Sequence, residues 1–142
     1  MKPYTPPAGP PRVNPPSPEI FAQMGTANIF HMLSDFYQEL GKSPIRPMFS
    51  PDLQKASERS AAFFVGLLGG PPLYHQRYGQ PMMRARHLPF PITESARQEW
   101  LACFRRVLEN APQAYNFPAE HIAGFIEFLE GFSGWMVNAE EE

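Results

Sequence analysis

A chain of 142 residues is enough for one domain that closes a single core. Its net charge of −2 gives no reason to expect nucleic acid as the main partner, and its one cysteine, Cys103, excludes an internal disulfide framework and fits a reducing compartment. Twelve phenylalanines, within an aromatic content of 13%, call for a large apolar interior or an apolar ligand site. No apolar h-region opens the sequence. The longest uncharged run, residues 60–74, is short and broken by Gly69-Gly70-Pro71-Pro72. A cytoplasmic, soluble protein that engages neither a membrane nor nucleic acid is the expectation.

Residues 1–16 carry seven of the eighteen prolines and almost no large apolar side chains, which favours an extended, solvated tail and sets the domain proper at 17–142. Ser17-Pro18-Glu19 is a helix start: a cap, a proline at the first position, and an acid at the positive helix end. The short helix that follows should stop at Gly25, with Thr26 capping a second. The second helix places Ile29, Phe30, Leu33, Phe36, Tyr37 and Leu40 on one stripe and ends at Gly41. Tyr37 lies on or beside the buried face, so its hydroxyl needs a partner inside.

Residues 43–49 read as proline-punctuated turns or a 3₁₀ piece, and Ser50-Pro51-Asp52 repeats the helix-start pattern. From there Leu53, Ala56, Ser60, Phe63, Phe64 and Leu67 trace one face. Ala56 and Ser60 are small for a contact among such large rings. Either two helices approach closely there, which periodicity alone favours, or a flat ligand lies against the face. Residues 71–81 read as a loop bearing Tyr74, His75, Arg77 and Tyr78. Thr93 caps a helix from Glu94 with the stripe Trp100, Leu101, Phe104, Val107 and Leu108, Cys103 alongside. A last helix from near Pro118 carries Ile122, Phe125, Ile126, Leu129, Phe132 and Met136. No strand pattern of any length intervenes, so the fold class is all-α.

Several chemistries find little support. Gly131-Phe132-Ser133-Gly134 lacks the spacing and the preceding strand of a nucleophile elbow. The four histidines form no i, i+4 pair and have no cysteine partners, so zinc is disfavoured. Arg77, Arg84 and Arg86, near Tyr74 and Tyr78, suit an anionic ligand better than a nucleic acid. The informative stretch is Met82-Met83-Arg84-Ala85-Arg86-His87-Leu88-Pro89-Phe90-Pro91. Pro81 suits a first helical turn and Pro89 biases Leu88 away from helix, leaving His87 stiffly held at a helix end. A stiff histidine with apolar flanks is what axial ligation of a haem iron needs. Phe-rich helices would supply the apolar slot, and Arg59, Tyr74 and Arg86 the partners for propionates. Tyr37, Ser60 and Trp100, polar groups on apolar stripes, would be donors to a polar guest such as dioxygen or water, although a nearby carbonyl could satisfy any one of them.

Gly69-Gly70-Pro71, Tyr74, the run Gly79-Gln80-Pro81-Met82-Met83-Arg84-Ala85-Arg86-His87-Leu88-Pro89-Phe90 and then Trp100-Leu101-Ala102-Cys103 resemble the group II truncated haemoglobins; Phe36-Tyr37 fits the same family. The resemblance spans roughly residues 19 to 138 and implies a globin-like two-over-two helical sandwich around haem b, iron protoporphyrin IX. It implies His87 as proximal iron ligand, and Tyr37, Phe49, Ala56, Ser60 and Trp100 around the bound ligand. Arg59, Phe63, Tyr74, Met83, Arg86 and Phe90 would belong to the pocket and the propionate rim. Ser60 and Gln80 depart from the commoner family residues, Ser60 making the ligand side more polar, and Phe49 removes a hydroxyl that relatives with Tyr carry.

The implied function is binding of dioxygen, and of nitric oxide, carbon monoxide or peroxide, for redox chemistry rather than bulk oxygen delivery. With no flavin or nicotinamide module visible, nitric oxide dioxygenation or peroxidase-like turnover would need an external reductase. An alternative is a haem-based sensor or interaction module acting through the proline-rich tail.

Overall fold

The computed structural model describes Thr5 and residues 14–80, 82, 83, 87 and 90–140. Within them lie six α-helices: α1 (Glu19–Gly41), α2 (Leu53–Leu67), α3 (Leu73–Tyr78), α4 (Glu94–Leu108), α5 (Ala111–Tyr115) and α6 (Ile122–Met136). Two 3₁₀ turns, Arg46–Met48 and Ala119–His121, precede α2 and α6. Met83 and His87 are also helical. No strand occurs among the described residues.

The start signals act as their chemistry dictates. The Glu19 amide donates to Ser17 Oγ (3.2 Å), and Thr93 Oγ1 accepts from the Ala96 amide (3.2 Å). At α2 the cap shifts inward: Asp52 Oδ1 accepts from the Lys55 amide (3.0 Å), so the helix begins two residues after the expected first position. The two expected helices meet at Gly25, whose φ 75°, ψ 170° is non-helical and breaks α1 with a kink there. Residues 71–81 are not the expected loop throughout. Leu73–Tyr78 is a helical turn and a half, begun by the Pro71-Pro72 pair and ended at Gly79. The five-residue α5 carries no periodicity long enough to read from sequence.

Helix α1 packs on α2 and crosses α4, and α4 packs on α6; α3 lies against α2 and α5 against α1. Two helix pairs thus face each other. Between them a core of rings forms around Phe104, which meets Phe36 at 4.1 Å, Trp100 at 5.4 Å, Phe125 at 5.6 Å and Phe64 at 5.7 Å between centroids. The start of α1 is bound to the end of α2 by the Phe21 amide donating to the Leu68 carbonyl (3.1 Å). Gly69 makes this approach feasible: it has φ 108°, and a Cβ there would sit 2.6 Å from Pro18.

Candidate functional site

A cavity of about 700 Å³ opens where α1, α2, α3, α4 and α6 fail to meet. Its size falls in the ~300–1,000 Å³ range of small-molecule and cofactor sites. From the α1–α2 side it is lined by Tyr37, Phe49, Ala56, Arg59, Ser60 and Phe63. Tyr74, Met83, His87, Phe90 and Trp100 complete the sequence-derived set. One residue of that set, Arg86, lies outside the described residues.

The α2 face resolves one open question. The residues of α2 that are buried are Ser57, Ala61, Ala62, Phe64 and Val65, whereas Ala56, Ser60 and Phe63 are only partly covered and border the cavity. Ala56 and Ser60 thus border open space, and Ser60 in addition meets α1 through Tyr37.

His87 is half-buried, and its Nδ1 lies 2.6 Å from the Met83 carbonyl, one helical turn back. A carbonyl only accepts, so Nδ1 carries the proton and donates. In the tautomer that this bond selects, the ring's lone pair is on Nε2. A histidine fixed in this tautomer by a backbone carbonyl is an oriented nitrogen donor.

Tyr37 and Ser60 find each other. Their hydroxyl oxygens lie 2.6 Å apart, linking α1 to α2 at the cavity wall. Burial pushes the Tyr37 phenol above its ordinary value, and the Ser60 hydrogen bond holds back part of the rise. Two of the three polar groups expected to seek a guest or a carbonyl thus also meet each other, a bond that uses one of their two protons. Trp100 lies at the same cavity, its indole ring set edge-on to Phe36 at 5.5 Å.

Toward solvent the lining becomes charged. Lys55, Glu58 and Arg59 project from α2, and the Arg59 guanidinium lies over the Tyr78 ring at 4.8 Å. Tyr74 is buried, 5.0 Å from Tyr78 and 6.1 Å from Phe63. Sequence reasoning did not assign Lys55, Glu58, Phe64, Tyr78 and Phe132 to the site. Phe64 and Phe132 stand on helical stripes that read equally well as core. Lys55 and Glu58 carried no signal beyond an exposed helix face.

Residues 19–137 match the bacterial-like globin family. A group 2 truncated hemoglobin of Bacillus subtilis is 35% identical over 91 residues, 63% of this chain and 69% of that protein. This chain belongs to the group II truncated haemoglobins.

As a globin it is a haem-based binder of small ligands. Its structural likenesses agree. The crystal structure of phosphate-bound Hell's gate globin IV superposes with a TM-score of 0.84 at 33% identity, covering 93% of this chain and 82% of that one. The group II truncated hemoglobin of Bacillus anthracis gives 0.78 at 29% identity, covering 100% and 97%. A two-on-two hemoglobin of Arabidopsis thaliana is 31% identical over 65% of this chain, but that stretch spans only 55% of the plant protein. The helical sandwich expected from sequence is therefore the fold of this globin, with its cavity between the two helix pairs.

The lining also fits haem on its own chemistry. It offers a cavity bordered by Phe49, Phe63, Phe64, Phe90 and Phe132, one histidine whose Nδ1 is engaged by a backbone carbonyl, and the cations Lys55 and Arg59.

Proposed function

We propose that the cavity holds haem b with His87 Nε2 as its proximal ligand, and that the protein binds dioxygen and related diatomic ligands for redox or reactive nitrogen and oxygen chemistry. The observation that carries this reading is the convergence on one cavity of a tautomer-fixed His87 with Tyr37, Ser60 and Trp100. Haem, when bound, supplies an iron that takes a diatomic ligand and accepts or gives electrons. Phe63, Phe90, Met83 and Phe132 would bound the ring and keep water from it. Arg59 and Tyr74 would face the propionates, as would Arg86.

The ligand side is more polar than an apolar storage pocket needs. Two hydroxyls hold two protons, and only one of these can lie in the Tyr37–Ser60 bond. The second is free to donate into the cavity, where the Trp100 indole N–H is a further donor. Donors fixed in a dry pocket hold negative charge well, because no reorganisation is needed when it develops. A related structure is described as a truncated oxygen-avid haemoglobin from Bacillus subtilis, with a TM-score of 0.76 at 32% identity. Slow dioxygen release would favour reaction of the held ligand over its delivery. Ala56 leaves a small gate beside it.

Turnover with nitric oxide or peroxide requires a separate reductase. Stopped-flow mixing of the oxygenated protein with nitric oxide is the discriminating experiment. Rapid conversion to the ferric form with stoichiometric nitrate is expected; simple displacement of dioxygen without nitrate would contradict the reading.

A further inference from the structure

Asn138 lies two residues past the end of α6 and is 7% exposed. Its side-chain amide uses every group it has. Nδ2 donates to the His87 carbonyl (3.0 Å) and to the Phe90 carbonyl (2.9 Å), and Oδ1 accepts from the Ile92 amide (2.8 Å). The orientation is fixed by the partners: turned over, Oδ1 would face two carbonyls and Nδ2 would face an N–H. The Asn138 and Ala139 amides donate in addition to the Ile92 carbonyl, at 3.0 and 3.2 Å.

The need for this clamp is local. Carbonyls at a helix C-terminus lack partners within the helix, and Pro89 and Pro91 bring no backbone N–H to satisfy them. From its own segment the His87 carbonyl receives, among the described residues, the Phe90 amide (2.9 Å). Asn138 supplies the rest from a different part of the chain, 51 residues away in sequence. His87 is therefore held twice: its ring by the Met83 carbonyl and its backbone by Asn138.

We propose that Asn138 is a positioning residue for the His87 imidazole, setting the direction of Nε2 by fixing the backbone that carries it. The proposal rests on His87 being the haem ligand. It assigns the end of α6 a share in the strength of the iron–histidine bond. Loss of the Asn138 donors would let the His87 backbone take several positions, so that the ring meets the iron at a spread of angles.

The test uses the full chain loaded with haem. The ferrous, ligand-free protein is measured by resonance Raman in wild type, Asn138→Ala, Asn138→Asp and, as a control of similar burial, Leu40→Ala. Asn138→Asp keeps an acceptor for the Ile92 amide and loses both donors, and it stands in if the alanine variant folds poorly. We expect a broadened, down-shifted iron–histidine stretching band in both Asn138 variants. Leu40→Ala should lose thermal stability yet keep the wild-type band. In haem-free protein, exchange of the Ile92 amide should quicken in Asn138→Ala while persisting near wild-type rates in Asn138→Asp. Wild-type band position and width in both Asn138 variants would overturn the proposal while leaving His87 ligation intact. Absence of the band from wild type would remove His87 ligation and the positioning role together.

Discussion

The hydroxyls of Tyr37 and Ser60 lie 2.6 Å apart across the α1–α2 seam. A phenol is the stronger acid, so the bond is best made with Tyr37 donating and Ser60 turning its own proton toward the cavity. The two residues then act as one unit. Tyr37→Phe leaves Ser60 free to donate, and Ser60→Ala leaves Tyr37 free to do the same. Each single variant should keep most of the wild-type hold on dioxygen. The double variant should release it about 10–100-fold faster, as loss of a hydrogen bond to a charged acceptor of ~1.5–3 kcal/mol implies. Dissociation rates of the four proteins form the cycle. Additive single effects would show that the hydroxyls act separately.

Alkaline stability follows from two buried phenols. Tyr115 donates to Asp35 Oδ2 (2.6 Å), and burial first, then that carboxylate, push its ionisation well above the ordinary range. Tyr37 is raised as well, by burial. A folded pKa above the unfolded value of ~10 gives stability that is complete below pH ~10 and lost as pH rises past it, because the unfolded chain releases the proton first. A tyrosine whose ionisation is raised in this way contributes a slope of at most about −1.4 kcal/mol per pH unit in that window. Urea titrations between pH 9 and about 11.5 should show the fall. Tyr115→Phe should reduce its steepness by one such share, and an unchanged slope would contradict the assignment.

Phe104 joins all the major helices through its ring contacts with Phe36, Phe64, Trp100 and Phe125. Phe104→Ala should cost about 3–5 kcal/mol, since a ring enclosed on every side leaves a cavity that rigid neighbours cannot fill. Thermal unfolding should move down by about 10–15 °C. A loss of under ~1 kcal/mol would mean that the surrounding rings collapse into the space.

The helices were legible where periodicity ran long. Apart from Phe30 and Trp100, which are only partly covered, the stripes over Ile29–Leu40 and Trp100–Leu108 are the buried faces of α1 and α4. Short elements escaped: α3 has six residues and α5 five, too few for a period to show beside the prolines that open them. The face containing Ala56 and Ser60 could be read two ways, because small residues signal either close packing or space, and only the positions of the surrounding helices decide. Most of the cavity lining came from the resemblance to a family, with His87 also marked by its flanking prolines. Partnerships across the fold were not legible. Nothing in the sequence pairs Tyr37 with Ser60, or sends Asn138 back to His87, since these contacts depend on where separate helices end.

His87 bears the whole account, and its replacement by glycine tests it most directly. Haem titrated into wild-type protein should give one equivalent bound, with an intense Soret band and a five-coordinate ferrous spectrum. His87→Gly should lose that ferrous spectrum and recover it on addition of free imidazole, which occupies the space of the missing ring. A glycine variant that binds haem as tightly as wild type, with the same ferrous spectrum and no response to imidazole, would contradict the central claim.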